Sequence, residues 1–344
     1  MNWILIDRSK TAPLWVAVLC CAFSLASTSR ATAQERTASG SVEIIVPWGP
    51  GGGADQLARE MTKLLQRVGL LAKVTNTPGR TGNAGMEKLL ASPSDGRLVS
   101  VLTAETYCLL AYANPGWQPA DVVPLAIMIR QPSAFFLPAS GSFKSWTEFE
   151  KEARQKPRSL RVAISGLGSP DYLMLQQLSL KGIHLAPVPF ENPEQRYQAV
   201  INGQADALYE QAADVATLLQ SKQIQPVLFF ASTRIPGFRD VPVSGELGFG
   251  NGFAQFRAIV AKVGTDPQRI KALSEALDQI AETPEFKAFL KDQMAIDGSY
   301  IPAKDAPAFL RQAFKEMKQT VDTLPVHARH LWEGQSVSEY IQPF

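Results

Sequence analysis

Cysteine and histidine are scarce in this chain of 344 residues, three of each. That leaves little material for a metal centre or for thiol chemistry, and neither a metal site nor a cofactor is expected. Charge of one sign is also lacking: 34 Lys and Arg stand against 32 Asp and Glu, with no basic block. A nucleic-acid partner, whose phosphates need a concentrated basic face, is therefore not expected. After residue 33 no apolar stretch reaches the roughly 20 residues of a membrane span.

What is present begins with a leader. Arg8 and Lys10 precede the apolar run Leu14 to Phe23, and Ala31-Thr32-Ala33 follows as a small-residue cleavage site. Residues 1–33 thus read as a secretory signal, cleaved between Ala33 and Gln34, with export to the periplasm. Cys20 and Cys21 leave with it, so an intramolecular disulfide is excluded in a compartment that would permit one. Lipoprotein processing is the rival reading, but Leu19 is not the small residue usual before such a cysteine. Cys108, in Tyr107-Cys108-Leu109-Leu110, reads as buried packing. The leader carries three basic residues against Asp7 alone, so the remainder is formally neutral.

Two units with the same plan follow. Val42 to Val46 is a strand stopping at Pro47; Trp48, Pro50 and Gly51-Gly52-Gly53 form a loop; Leu57, Met61, Leu64, Leu65 and Val68 then stripe one helical face, with Asp55 in the first turn and Gly69 at the end. Downstream, Leu160 to Ile164 is a strand, Ser165-Gly166-Leu167-Gly168 a loop, and Ser169-Pro170-Asp171 a helix start with Ser as N-cap, the helix closing at Gly182. A glycine loop at a helix N-terminus presents backbone N–H groups at the positive end of the helix dipole, which suits an anion. A plain tight turn is the alternative. No Lys-Ser/Thr follows the first loop and its spacing is not G-x-G-x-x-G, so phosphate binding is not indicated; nor is the second loop a G-x-S-x-G elbow. Two such units predict two α/β lobes whose loops face one cleft. Asn83, in the loop Asn76 to Gly85, reads as a helix cap or a ligand contact, and Leu98 to Leu102 as another strand.

These landmarks resemble the periplasmic solute receptors of tripartite tricarboxylate transporters, also called Bug-type receptors. The resemblance rests on Ile44 to Gly52 with Asp55, on Asn76-Thr77-Pro78-Gly79 with Gly82, Asn83 and Gly85, on Asp95-Gly96, on Ser165 to Ser169, on Gly203-Gln204-Ala205-Asp206, on Asp240-Val241-Pro242 with Glu246 and Gly248, and on Gly264 to Pro267. It covers residues 42–324. The resemblance implies an α/β, two-lobed periplasmic-binding-protein (Venus flytrap) fold with two Rossmann-like lobes. One lobe would be residues 34–131 with 256–344, the other residues 132–255, crossing near Gln131-Pro132 and near 251–257. It also implies a monomeric receptor, not an enzyme, that closes on a small carboxylate (a di- or tricarboxylate or an aromatic acid) and delivers it to membrane transporter subunits.

The expected ligand-binding residues are Trp48, Pro50, Gly51, Gly52, Gly53, Asp55, Asn83, Ser165, Gly166, Gly168, Ser169, Phe190, Asp206 and Glu210. Departures from the family pattern are Val188-Pro189-Phe190-Glu191-Asn192 in place of V-P-Y-K-G, Thr75 before the second loop, Glu210 for an Asp, and Arg80 at a usually small position. Trp48, Tyr107, Phe190 and Tyr209 are candidates to line a cleft for an aromatic ligand. The alternatives are a periplasmic hydrolase using Ser165 or Ser169, and a ligand-free adaptor or signalling receptor. His184 reads as structural. His327 and His330, in the tail from Pro325 to Phe344, read as surface residues.

Overall fold

The computed structural model describes residues 41–253 and 255–325. The leader and its cleavage site, and His327 and His330 in the tail, lie outside the described residues.

Apolar strands gather into two mixed sheets, each with helices on both faces. The first sheet contains β1 (Val42–Val46), β2 (Ala72–Asn76), β3 (Leu98–Thr103), β4 (Val122–Gln131), β10 (Gln255–Lys262) and β11 (Ile301–Pro302), in the order β11-β4-β10-β3-β1-β2. β1 runs parallel to β2 and β3, with Val42 opposite Ala72, while β10 is antiparallel to both β3 and β4. The second sheet contains β5 (Ser133–Pro138), β6 (Arg161–Ile164), β7 (Ala186–Pro189), β8 (Ala207–Gln211) and β9 (Ile224–Phe229), in the order β7-β6-β8-β5-β9. β6 is parallel to β7 and β8, and β5 is antiparallel to β8 and β9.

Burial on both faces explains why these strands are nearly continuous apolar runs rather than alternating ones. On the first sheet, α1 (Gly53–Arg67), α8 (Pro267–Ala281) and α9 (Pro284–Asp292) cover one face. Leu57, Met61, Leu64 and Leu65, the expected stripe of α1, are all buried there, as are Leu273, Leu277 and Ile280 of α8. The other face carries α2 (Asn83–Ala91), α3 (Ala104–Tyr112) and α10 (Ala306–Thr323). The second sheet is covered by α4 (Trp146–Gln155) and α5 (Pro170–Leu180) on one side and α6 (Pro193–Ile201) on the other, with the short α7 (Ala216–Gln220) beside β9.

The chain passes from the first sheet to the second over a single residue, Pro132, and returns between Phe229 and Gln255. Segments after the return, β10 and α8 to α10, complete the first sheet's two cores. β3 ends at Thr103, whose hydroxyl accepts from the Thr106 N–H and caps α3.

Candidate ligand-binding site

The carboxyl ends of β1 and β3 meet those of β6 and β8 at one cavity, the position where open α/β sheets hold ligands. After β1, Gly52 is the N-cap of α1, with extended backbone and no side chain to cap the first turn. The opening N–H groups of α1 therefore have no intrahelical partner, and Gly52, Gly53 and Ala54 line the cavity. Asp55 turns back to the rim: its carboxylate accepts from Gly51 N (3.0 Å), Arg59 Nε (2.8 Å) and Asn76 Nδ2 (3.0 Å). Burial opposes the charge, but these three donors together hold Asp55 below the usual carboxylate range. The amide of Gly51 is thus taken by the chain's own carboxylate, and Pro50 and Gly51 are exposed outside the cavity.

The second loop is organised the same way. Ser165 donates from N (2.9 Å) and from Oγ (2.5 Å) to the same oxygen of Asp171 in the first turn of α5. Ser169 is the expected cap: its Oγ accepts from Tyr172 N and donates to Gly166 O (2.7 Å). Gly166 is pressed against the first-sheet side, where an added Cβ would lie 2.5 Å from Thr81 Oγ1. Thr81, at φ 55°, donates from Oγ1 to Leu167 O (3.1 Å) and from N to Glu191 Oε1 (2.8 Å). Glu191, where the family pattern has lysine, thus supplies an acceptor that ties the segment after β7 to the loop holding Thr81.

The cavity measures about 30 Å³, room for two or three waters. Trp48 and Thr103 form part of its wall, with Trp48 Nε1 donating to Thr103 Oγ1 (3.1 Å). Its polar content is a set of buried charges. Arg257, from the central strand β10 of the first sheet, reaches across to form an ion pair with Asp214 and also donates to Gln211 Oε1 (3.0 Å) and to Gln131. That pair packs directly on Gly53, where a Cβ would collide with both partners. Arg196 of α6 forms an ion pair with Glu210 and donates to Phe190 O (2.9 Å). Glu105, in the first turn of α3, also lines the cavity. Among the described residues no basic side chain lies within ion-pair distance of it, and its nearest support is the Thr103 hydroxyl. Burial raises Glu105, with Thr103 and Arg257 opposing. Burial also pushes Asp171 up to about 7, reinforced by the Glu105 charge. Asp214 likewise rises to about 7 through burial, with Arg257 opposing and Glu210 and Glu105 adding.

The structure brings Trp48, Gly52, Gly53, Ser165 and Glu210 to the cavity and places other expected residues elsewhere. Asn83 is not the cap, which is Gly82, and it lies outside the cavity lining, its amide bonding Glu87, Pro115 O and Trp117 Nε1. Asp206 lies before β8, at the end opposite the cavity, paired with Arg161 at 3.0 Å. The Phe190 ring packs against the second sheet's core, so only its carbonyl serves the site, through Arg196. Gly168, at φ 78°, shapes the turn. Tyr107 is buried against Phe256 and Phe314, and Tyr209 against Phe135 and Phe230, so neither is a cleft aromatic. His184 bonds Ser179 Oγ through Nδ1 at 2.8 Å, a structural contact. Cys108 is fully buried, and its thiol is raised well above the usual value, chiefly by burial.

Sequence reasoning missed Glu105, Arg196, Asp214 and Arg257. One signal was present: Arg257 interrupts the apolar run Phe256 to Ala261, and a charge inside a central strand demands a buried partner.

Comparison with known proteins converges on one group. A protein from the tcbD-tcbE intergenic region of Pseudomonas sp. strain P51 is 25% identical over 309 residues, covering 88% of this chain and 90% of that protein. A Rhodopseudomonas palustris protein solved with adipate superposes with a TM-score of 0.77 at 22% identity, covering 82% of this chain and 96% of that one. MatC from Rhodopseudomonas palustris, solved with bound malate, gives 0.75 at 21% identity, covering 81% and 98%. Both superpositions show a shared fold. Residues 54–325 match the family described as the tripartite tricarboxylate transporter family receptor, and the chain belongs to that family.

Proposed function

We propose that this protein is an extracytoplasmic solute receptor that captures a small carboxylate between its two sheets and hands it to a membrane transporter of the tripartite tricarboxylate type. The observation that carries the reading is the uncapped start of α1, Gly52 to Ala54, facing Arg196 and Arg257 across a cavity at the strand ends. Backbone N–H groups at a helix start bind carboxylates without a net charge of their own, and an arginine adds a fork of donors. The adipate and malate carried by the two structural relatives support this ligand class.

In this reading residues 34–131 with 256–344 form one lobe and 132–255 the other, the signal is removed near Ala33, and the receptor works as a monomer in the periplasm. Closure favours the ligand-bound state because the ligand touches both lobes. It binds rather than turns over its ligand. Ser165 Oγ is engaged by Asp171 directly, without the intervening histidine that a serine nucleophile of the triad type needs.

A thermal-shift and calorimetric screen over mono-, di- and tricarboxylates and aromatic acids tests the proposal. A ligand at a hundred times its Kd should stabilise the protein by about 2.7 kcal/mol. An unchanged melting temperature across the whole panel would refute it.

A further inference from the structure

The cavity is lined by more acidic than basic side chains. Glu105, Glu210 and Asp214 line it from α3, β8 and the loop after β8, while Asp171 of α5 sits behind Ser165. Against them stand Arg196 and Arg257. Each arginine is committed to one acid, Arg196 to Glu210 and Arg257 to Asp214. Asp171 is held by neutral donors, Ser165 and Gln255. Glu105 has the Thr103 hydroxyl and no ion-pair partner among the described residues.

A second observation is independent of that count. Asp214 is 8% exposed, lines the cavity, and its Oδ1 is buried with no hydrogen-bond partner. A buried carboxylate oxygen without a donor is costly, and it marks a place where a donor is wanted. Glu105 also disfavours the charge on Asp214, as neighbouring like charges do.

We propose that the ligand carries a cationic nitrogen beside its carboxylate, so that the cavity takes an aminated, zwitterionic acid in preference to a plain di- or tricarboxylate. This rests on the receptor reading above and narrows its ligand class. The carboxylate of the ligand goes to the start of α1, and its ammonium group goes to Glu105 and Asp214 Oδ1. An ammonium has three donors and no acceptor, which matches the donorless Asp214 Oδ1 and a Glu105 carboxylate that has no ion-pair partner among the described residues. A second carboxylate in the same place would meet like charge.

Isothermal calorimetry on the full mature protein at neutral pH tests this with matched pairs: aspartate against succinate, glutamate against glutarate, and phenylalanine against 3-phenylpropionate. The amine putrescine serves as the cation-only control. At least one aminated acid should bind about tenfold or more tightly than its partner, and E105Q should reduce that ratio to within about threefold, since one charged hydrogen bond of this kind carries such a factor. The wild-type ratios decide the matter even if E105Q fails to fold. Plain acids that bind as tightly as their aminated partners would overturn the proposal and leave the receptor reading standing. A ratio unchanged by a folded E105Q would also overturn it. Putrescine binding as tightly as the best zwitterion would refute the carboxylate half. Heats of zero for the whole panel would overturn both readings.

Discussion

Asp171 offers the sharpest test of how the interior is charged. It is 3% exposed, has only neutral donors around it, and is pushed up to about 7 from an ordinary value near 3.8, first by burial and then by Glu105. Between those two values the native state holds a proton that the unfolded chain releases. Stability from this residue is therefore full below about pH 4 and falls as pH rises to about 7. The gap is about three pH units, at about 1.4 kcal/mol each, or about 4 kcal/mol in all. Asp171→Asn mimics the protonated form. The asparagine oxygen still accepts from Ser165, and with the Gln255 amide flipped its Nδ2 donates to Gln255 Oε1, which is otherwise buried without a partner. Urea unfolding of both proteins from pH 4 to pH 8 should show near-equal stability at pH 4 and an advantage for the variant of at least about 2 kcal/mol at pH 8. Acids with lowered values, such as Asp55, lose stability on acidification in both proteins and cancel in the difference. A difference that stays flat with pH, or one that favours the wild type as pH rises, would refute the reasoning.

Other expectations follow from the same contacts. Arg257→Met strands Asp214 in the interior and should cost about 3–5 kcal/mol in urea unfolding, whereas the double change R257M with D214L should recover most of it; a loss under about 1 kcal/mol for the single variant would show that the pair is not buried in solution. Gly52 and Gly168 should separate in their effects. A Cβ at Gly52 would lie 2.7 Å from Pro193 Cγ on the second-sheet side, so Gly52→Val should enlarge the radius of gyration in small-angle scattering with little loss of apo stability. Gly168→Val, at a left-handed φ of 78°, should instead lower apo stability by about 1 kcal/mol or more. Equal melting-temperature losses for the two would mean that both glycines only shape the chain.

Much of the architecture is legible locally. The stripe of α1, the Ser169 cap and the strands β1 and β6 each depend on residues a few positions apart, and the periodicity shows them. Sheet order is different. β10 inserts antiparallel between β3 and β4 from far along the chain, and only the family resemblance pointed to a return of the C-terminal segment. The site divides along the same line. The glycine loops and Ser165 are readable because a strand, loop and helix start are consecutive. Arg257 bonds Gln131 and, from a second stretch of sequence, Gln211 and Asp214, so its role emerges only when β10 takes its place. Asn83 and Asp206 stand outside the cavity because their polar groups are used within the chain, Asn83 by Trp117 and Asp206 by Arg161, and such long-range partners leave no trace in local sequence.

Pro132 is flanked by two residues that belong to the network around Arg257. Gln131 accepts from Arg257 and donates to Gln293 O at 2.6 Å, and Ser133 Oγ accepts from Gln211 Nε2 at 3.2 Å. The crossover between the sheets is thus wired to the cavity at a remove of one hydrogen bond on either side. If the two sheets close on a ligand as proposed, a substitution at Arg257 or Gln211 alters at once the contacts to the ligand and the side chains that hold the crossover.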